Sequence, residues 1–245
     1  MKKLFVLIAA ACMTCTAAFA QTVKPFKEGE RAVFLGNSIT DGGHYHSYIW
    51  LYYMTRFPDM PIRVFNGGIG GDTAYDMNKR LDGDIFAMKP SVLMVTFGMN
   101  DSGYFEYNGD KPKEFGEQKY QESIKNYQQM EKRFKDLPDT RIVMVGTSPY
   151  DETVQLKENT PFKTKNETIK RLVEYQQESA AKNNWEFTDL NAPMTAINQQ
   201  YQQKDPTFTL CGSDRIHPDN DGHMVMAYLF LKAQGFVGKE VADME

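Results

Sequence analysis

The sequence predicts an α/β domain of three layers, with helices covering both faces of a five-stranded, mainly parallel sheet. Three observations predict it. Five short apolar runs are rich in β-branched or aromatic residues and end in polar or glycine-rich sequence, as strands buried on both faces do. Between them lie stretches whose apolar residues recur at steps of three and four, the spacing of a helix with one buried face. Strands alternating with helices need crossover connections, which place helices on both sides of a parallel sheet.

The elements follow in chain order. Lys2 and Lys3 precede the apolar run Leu4 to Ala11, and Ala18-Phe19-Ala20 satisfies the small-residue cleavage rule, so residues 1–20 read as a signal peptide. Its removal leaves residues 21–245 as one domain, exported to the periplasm or the exterior. Cys12 and Cys15 near the end of the run keep a lipoprotein anchor as the alternative, although neither follows a leucine-small-small pattern. The strands are Arg31 to Leu35, Ile62 to Asn66, Val92 to Phe97, Ile142 to Gly146 and Trp185 to Asp189. Helices are expected near Tyr48 to Phe57, Thr73 to Met88, Glu117 to Leu137, Asn166 to Asn183 and Asp221 to Gln234. The clearest carries Tyr120, Ile124, Tyr127, Met130, Phe134 and Leu137 on one face.

Composition excludes several classes. The formal charge is −4, and it becomes −6 without Lys2 and Lys3, a balance that argues against nucleic acid as a partner. Beyond the leader no run is apolar for long enough to cross a bilayer, so stable membrane insertion is not expected. Past residue 20 the sole cysteine is Cys211, which leaves the fold without internal disulfides and reads as a small buried residue.

Four short blocks carry the chemistry: Gly36-Asn37-Ser38-Ile39-Thr40, Asn66-Gly67-Gly68-Ile69-Gly70-Gly71-Asp72-Thr73, Gly98-Met99-Asn100-Asp101 and Asp214-Arg215-Ile216-His217-Pro218. Three of them follow the first three strands, at the carboxyl edge where such sheets bind ligands. A serine hydroxyl becomes a nucleophile when a base takes its proton, and histidine accepts and returns a proton near neutrality. Ser38 supplies the hydroxyl, His217 the base, and Asp214, three residues earlier, a carboxylate that can orient the imidazole. An oxyanion needs donors fixed in advance. The backbone N–H groups of Ser38 and Gly71 and the side-chain amide of Asn100 are the candidates.

Each block also has a plainer reading. Ser38 in Ser-Ile-Thr-Asp has capping-box spacing, Gly71-Asp72-Thr73 fits a turn and helix cap, and Asn100 suits a turn. Their occurrence in order outweighs these readings. His44 and His46 are spaced like metal ligands but lack an obvious third, so no metal is expected. Asp219-Asn220-Asp221-Gly222 lacks the full calcium-loop pattern and reads as helix capping, and His223 on the last helix as structural or exposed.

With these blocks the chain resembles the SGNH, or GDSL-type, hydrolases from Val33 to about Phe230, with Asn37 where the family name implies aspartate. The resemblance implies a flavodoxin-like sheet and hydrolysis of esters or thioesters through an acyl-Ser38 intermediate, with no metal or organic cofactor. Among the family's substrates, O-acetylated glycans suit an exported enzyme without a long apolar lid. His44, Tyr45, His46 and Tyr48, together with Tyr104, Phe105 and Tyr107, form a candidate aromatic platform for sugar rings, of which His46 and Tyr104 are the named substrate contacts. Two alternatives stay open: a lysophospholipase or thioesterase of the same family, and a non-catalytic glycan-binding relic of the fold.

Overall fold

The computed structural model describes residues 22–158 and 160–237; the leader read over residues 1–20 lies outside them. Five strands form one parallel sheet in the order β2-β1-β3-β4-β5: β1 (Arg31–Gly36), β2 (Arg63–Gly68), β3 (Val92–Val95), β4 (Arg141–Gly146) and β5 (Glu186–Asp189). All four pairings are parallel, with Phe34 opposite Asn66 on one side of β1 and Met94 on the other. Every expected strand is present, shifted by a residue or two at its ends.

The strand sequence alternates between two cores. Val33, Leu35, Leu93, Val95, Ile142 and Met144 face one layer with Met77, Leu81, Tyr127, Met130 and Phe134. Phe34, Val92, Met94, Val143 and Val145 face the other with Ile49, Tyr53, Met226 and Phe230. Side chains in a strand point to opposite faces in turn, so a continuous apolar run serves both layers. The second layer is built from α2 (Tyr45–Arg56) and α7 (Asn220–Ala233), the first from α3 (Ala74–Arg80) and α4 (Pro112–Lys135). Helix α5 (Lys165–Asn183) packs beside α4 and over β4 and β5, while the short α1 (Ser38–Asp41) sits directly after β1.

Three local outcomes differ from the sequence reading. The expected helix from Thr73 to Met88 is α-helical only to Arg80; a π turn (Leu81–Ile85) and a 3-10 turn (Phe86–Met88) complete it. Gly83 lies in that π turn, where a residue without a side chain weakens the α-helical ladder. Pro112, which lacks an N–H and has φ preset, starts α4 five residues before the position read from periodicity. Helix α6 (Asn191–Gln202) was not expected, because its first turn contains Pro193 and its sequence is rich in asparagine and glutamine; Met194 and Ile197 nevertheless pack on the core.

Phe34 is 1 % exposed and meets the rings of Tyr45 and Phe230. Phe34→Ala is expected to cost about 3–5 kcal/mol through lost burial and the cavity left behind. In urea denaturation this appears as a lower midpoint with an unchanged slope; a midpoint within error of the parent would contradict the packing described.

Candidate active site

Ser38 stands where β1 turns into α1. Asn37 is the helix N-cap, with extended backbone and a side-chain Oδ1 that accepts the N–H of Ile39 at 3.0 Å. The cap is therefore Asn37 and not Ser38, and the amide meets the need that an aspartate would meet. Ser38 is left at the first helical position, where its N–H has no acceptor within the helix. The second block packs tightly against this turn. A Cβ on Gly68 would lie 2.2 Å from the backbone nitrogen of Asp41, so only glycine permits the approach.

The fourth block brings the candidate base and its candidate orienter to the same edge. The Oγ of Ser38 lies 2.7 Å from Nε2 of His217, and Nδ1 of His217 lies 2.5 Å from Oδ2 of Asp214. The other carboxylate oxygen accepts the N–H groups of Ile216 and His217, each at 2.9 Å. A carboxylate has no proton to give, so Nδ1 carries the proton and Nε2 presents its lone pair to the serine hydroxyl. Between them Arg215, with φ of +70°, is buried, and its guanidinium donates to the carbonyls of Asp151 and Val154 at 3.0 and 2.7 Å. Sequence reasoning did not identify that anchor; its only signal is a position inside the Asp-x-x-His turn.

Electrostatics follow from these contacts. The hydrogen bond to Asp214 raises the His217 imidazole above the usual 6.5 against the opposing effect of desolvation. Desolvation pushes the Asp214 carboxyl up, but the hydrogen bonds from His217 and from two backbone N–H groups outweigh it and hold the group below its ordinary value. Burial drives His223 down to about 4, helped by His44, His46 and His217 nearby, so it is neutral near pH 7. Cys211 is buried and its thiol is pushed up to about 12 by desolvation, which makes it an inert thiol.

Gly71 and Asn100 meet across the second and third loops. Gly71 adopts a φ of +85°, which glycine tolerates without strain, and Thr73 then caps α3 in a capping box with Asp76. The Nδ2 of Asn100 donates to the carbonyl of Asp72 at 2.9 Å, and the hydroxyl of Tyr104 donates to its Oδ1. A carbonyl only accepts, so the amide orientation is fixed and one Nδ2 proton is left over. Asp72 is itself held by Arg80, whose Nε lies 2.6 Å from Oδ2 and whose terminal nitrogen donates to the carbonyls of Gly36 and Gly67.

The aromatic platform is only partly realised. The expected contact His46 is not realised: it is buried, its ring tilted against Phe34, and its Nε2 meets the carbonyl of Thr40 at 3.2 Å, so it is not open to a ligand. Tyr45 and Tyr107 are likewise buried. Tyr104 is half-buried with its hydroxyl engaged by Asn100, whereas Phe105 is exposed beside Phe162. His44 does reach the site. With His217, Asn220 and His223 it lines an open cleft of about 560 Å³ beginning at Ser38, and its Nδ1 lies 2.7 Å from Oδ1 of Asn220. Asp219 occupies the N-cap position of α7 but makes no side-chain capping bond, so the expected capping is positional only. Among the described residues no group of three or more histidine, cysteine or acidic side chains is placed to hold a metal ion.

A sequence model of the GDSL-like lipase/acylhydrolase family matches residues 34–225. An acetylxylan esterase of Geobacillus stearothermophilus is 27% identical over 224 residues, which cover 85% of this chain and 95% of the relative. A solved structure of an acetylxylan esterase from the same organism superposes with a TM-score of 0.68 at 24% identity, over 86% of this chain and 96% of that one. A solved gut microbial diltiazem-metabolizing enzyme is 85% identical with a TM-score of 0.89; the match covers 89% of this chain and 50% of that one, so the chain spans half the length of this relative.

The imidazole of His217 is expected to titrate above 6.5 by NMR. The sign follows from the raised value: the stabilising Asp214–His217 contact is complete below the unfolded histidine value and is lost as pH rises through the folded one. Asp214→Asn removes the anion and should bring the midpoint down; an unchanged midpoint would show that Asp214 does not set it.

Proposed function

The chain belongs to the GDSL-like lipase/acylhydrolase family and is a carboxylic ester hydrolase, and from that premise we propose that it removes acetyl groups from hydroxyl-rich substrates, O-acetylated carbohydrate foremost, through an acyl-Ser38 intermediate. One observation carries the role assignment: the unbroken chain of hydrogen-bonded atoms from Asp214 through His217 to Ser38. Ser38 Oγ attacks the acyl carbon while His217 Nε2 takes its proton. The oxyanion is received by the N–H groups of Ser38 and Gly71 and the free Nδ2 proton of Asn100. His217 then protonates the leaving alcohol, and a water molecule repeats the sequence to release acetate.

The geometry supports one direction of departure for the alcohol. The proton for the leaving oxygen comes from His217, so the alcohol departs on the histidine side, into the cleft lined by His44, Asn220 and His223. That cleft is open and mixes polar side chains with Ile39 and Pro218, and suits a sugar or another bulky alcohol. The acetylxylan esterase relative supports acetyl selectivity, and the diltiazem-metabolizing one supports tolerance of a bulky substrate. Export through the leader at residues 1–20 belongs to the same proposal.

The test is acetate release from acetylated xylo-oligosaccharides and from diltiazem, run beside Ser38→Ala, with a nitrophenyl ester series as a ruler. Acetate esters are expected to be fastest, with Ser38→Ala losing on the order of 10³-fold or more in kcat. Rates that climb from acetate to octanoate would favour the lysophospholipase or thioesterase reading. Failure of a fluorophosphonate probe to label Ser38 would favour a non-catalytic relic.

A further inference from the structure

Lys165 is the first residue of α5 and is fully buried, although it belongs to none of the four blocks. Its Nζ reaches into the loop that carries Asn100. It donates to the carbonyl of Met99 at 2.7 Å, to Oγ of Ser102 at 2.6 Å and to the carbonyl of Gly103 at 2.5 Å. All three acceptors are uncharged, and they match the three protons of an ammonium group. The same nitrogen sits 3.9 Å from the ring centroid of Tyr104, within cation–π range, and 5.7 Å from that of Tyr150. Tyr104 in turn donates its hydroxyl to Oδ1 of Asn100.

We propose that Tyr104 and Lys165 are positioning residues of the oxyanion hole: the Lys165 ammonium locks the 99–103 loop and the Tyr104 ring, and Tyr104 locks the Asn100 amide with one Nδ2 proton aimed at the reacting oxygen. The inference rests on the proposed oxyanion role of Asn100. Neither residue touches substrate in this scheme. Each acts through Asn100, and the arrangement is complete only while Lys165 carries its third proton, because a neutral amine has two protons for three acceptors.

The surroundings make that proton labile. Burial lowers the Lys165 ammonium to about 7, against the favourable fields of Asp101 and Glu152. The charged and titratable groups facing it are those two carboxylates, on the Asn100 loop and the segment after β4, and the phenols of Tyr104 and Tyr150. The Asp101 oxygens are engaged by Ala74, Gly98 and Ser123, and those of Glu152 by Thr164 and Asn166. A serine hydrolase limited only by its histidine rises with pH to a plateau. Here kcat should fall again on the alkaline side as Lys165 loses its proton.

A double-mutant cycle on nitrophenyl acetate, read with full pH profiles, tests this. Asn100→Ala is expected to lower kcat by about 100-fold or more. Tyr104→Phe alone should lower kcat by about tenfold, the worth of one net hydrogen bond, with KM unchanged. Once Asn100 is alanine, adding Tyr104→Phe should cost nothing further. Lys165→Met should lower kcat and abolish the alkaline limb; if that variant does not fold, the cycle and the parent profile still decide. Losses for Tyr104→Phe that are equal in both backgrounds, or that fall on KM, overturn the role of Tyr104. A parent profile flat on the alkaline side, or a limb that persists in Lys165→Met, overturns the role of Lys165. An Asn100→Ala variant with full kcat removes the underlying oxyanion reading itself, so the two failures are distinguishable.

Discussion

Donors that stabilise a developing charge are useful only if they are aimed before the charge appears, and the loop that carries the proposed donor Asn100 is held by one buried carboxylate, Asp101. One of its oxygens accepts the N–H of Gly98 at 3.0 Å; the other accepts the N–H of Ala74 at 2.9 Å and the hydroxyl of Ser123 at 3.1 Å. Three segments are joined by that group: the loop after β3, the first turn of α3 and the middle of α4. Desolvation pushes its pKa up, yet four hydrogen bonds, including one from its own N–H, oppose that shift. The N-terminus of α3 adds its own favourable field for an anion. Asn100, the residue before Asp101, therefore sits between two fixed points.

A second staple works from the other side. Arg80 grips Asp72 and at the same time satisfies the carbonyls of Gly36 and Gly67 where β1 and β2 end. The carbonyl of Asp72 is the acceptor that orients Asn100. The sheet order explains why these staples converge near Ser38. The chain leaves β1 toward β2 on one side and returns past it to β3 on the other, so the end of β1 is the switch point where a crevice opens. Ser38 comes directly after that strand, which places it in the crevice by topology and not by any property of serine.

What was legible in the sequence and what was not follows from the range of the interactions. The strands could be read because both faces of a parallel sheet are covered, which makes each strand an apolar run. Asp214 and His217 could be read because their contact is local, made within one turn. The N-cap could not be placed from sequence, since Asn37 and Ser38 are both good caps and only the backbone shows which one is non-helical. His46 was drawn as a ligand contact on the strength of its neighbours. Its position on α2 turns it into the core, a matter of helical phase that three residues of sequence do not reveal. Helix α6 was hidden by its polar composition, with core contacts carried mainly by Met194 and Ile197.

The cleft lined by His44, Asn220 and His223, proposed to receive the leaving alcohol, shows the same limit in its strongest form. His44 and Asn220 touch across 176 residues of sequence, and the His44 and His223 rings lie 5.5 Å apart from elements at opposite ends of the chain. His44 reaches that place from a turn where its own φ is +26°, a conformation rare outside glycine and sustained by the surrounding contacts. Burial and the neighbouring histidines keep His223 neutral, so His223 presents a hydrogen-bonding edge and an aromatic face close to His217 and adds no positive charge beside the imidazolium proposed to form there. A cationic wall would lower the basicity of His217 and oppose the step it is proposed to perform. The residues proposed for the chemistry announce themselves in short motifs, although Ser38 and His217 meet across 179 residues, while the wall proposed to receive the alcohol has no such motif and is visible only in the folded chain.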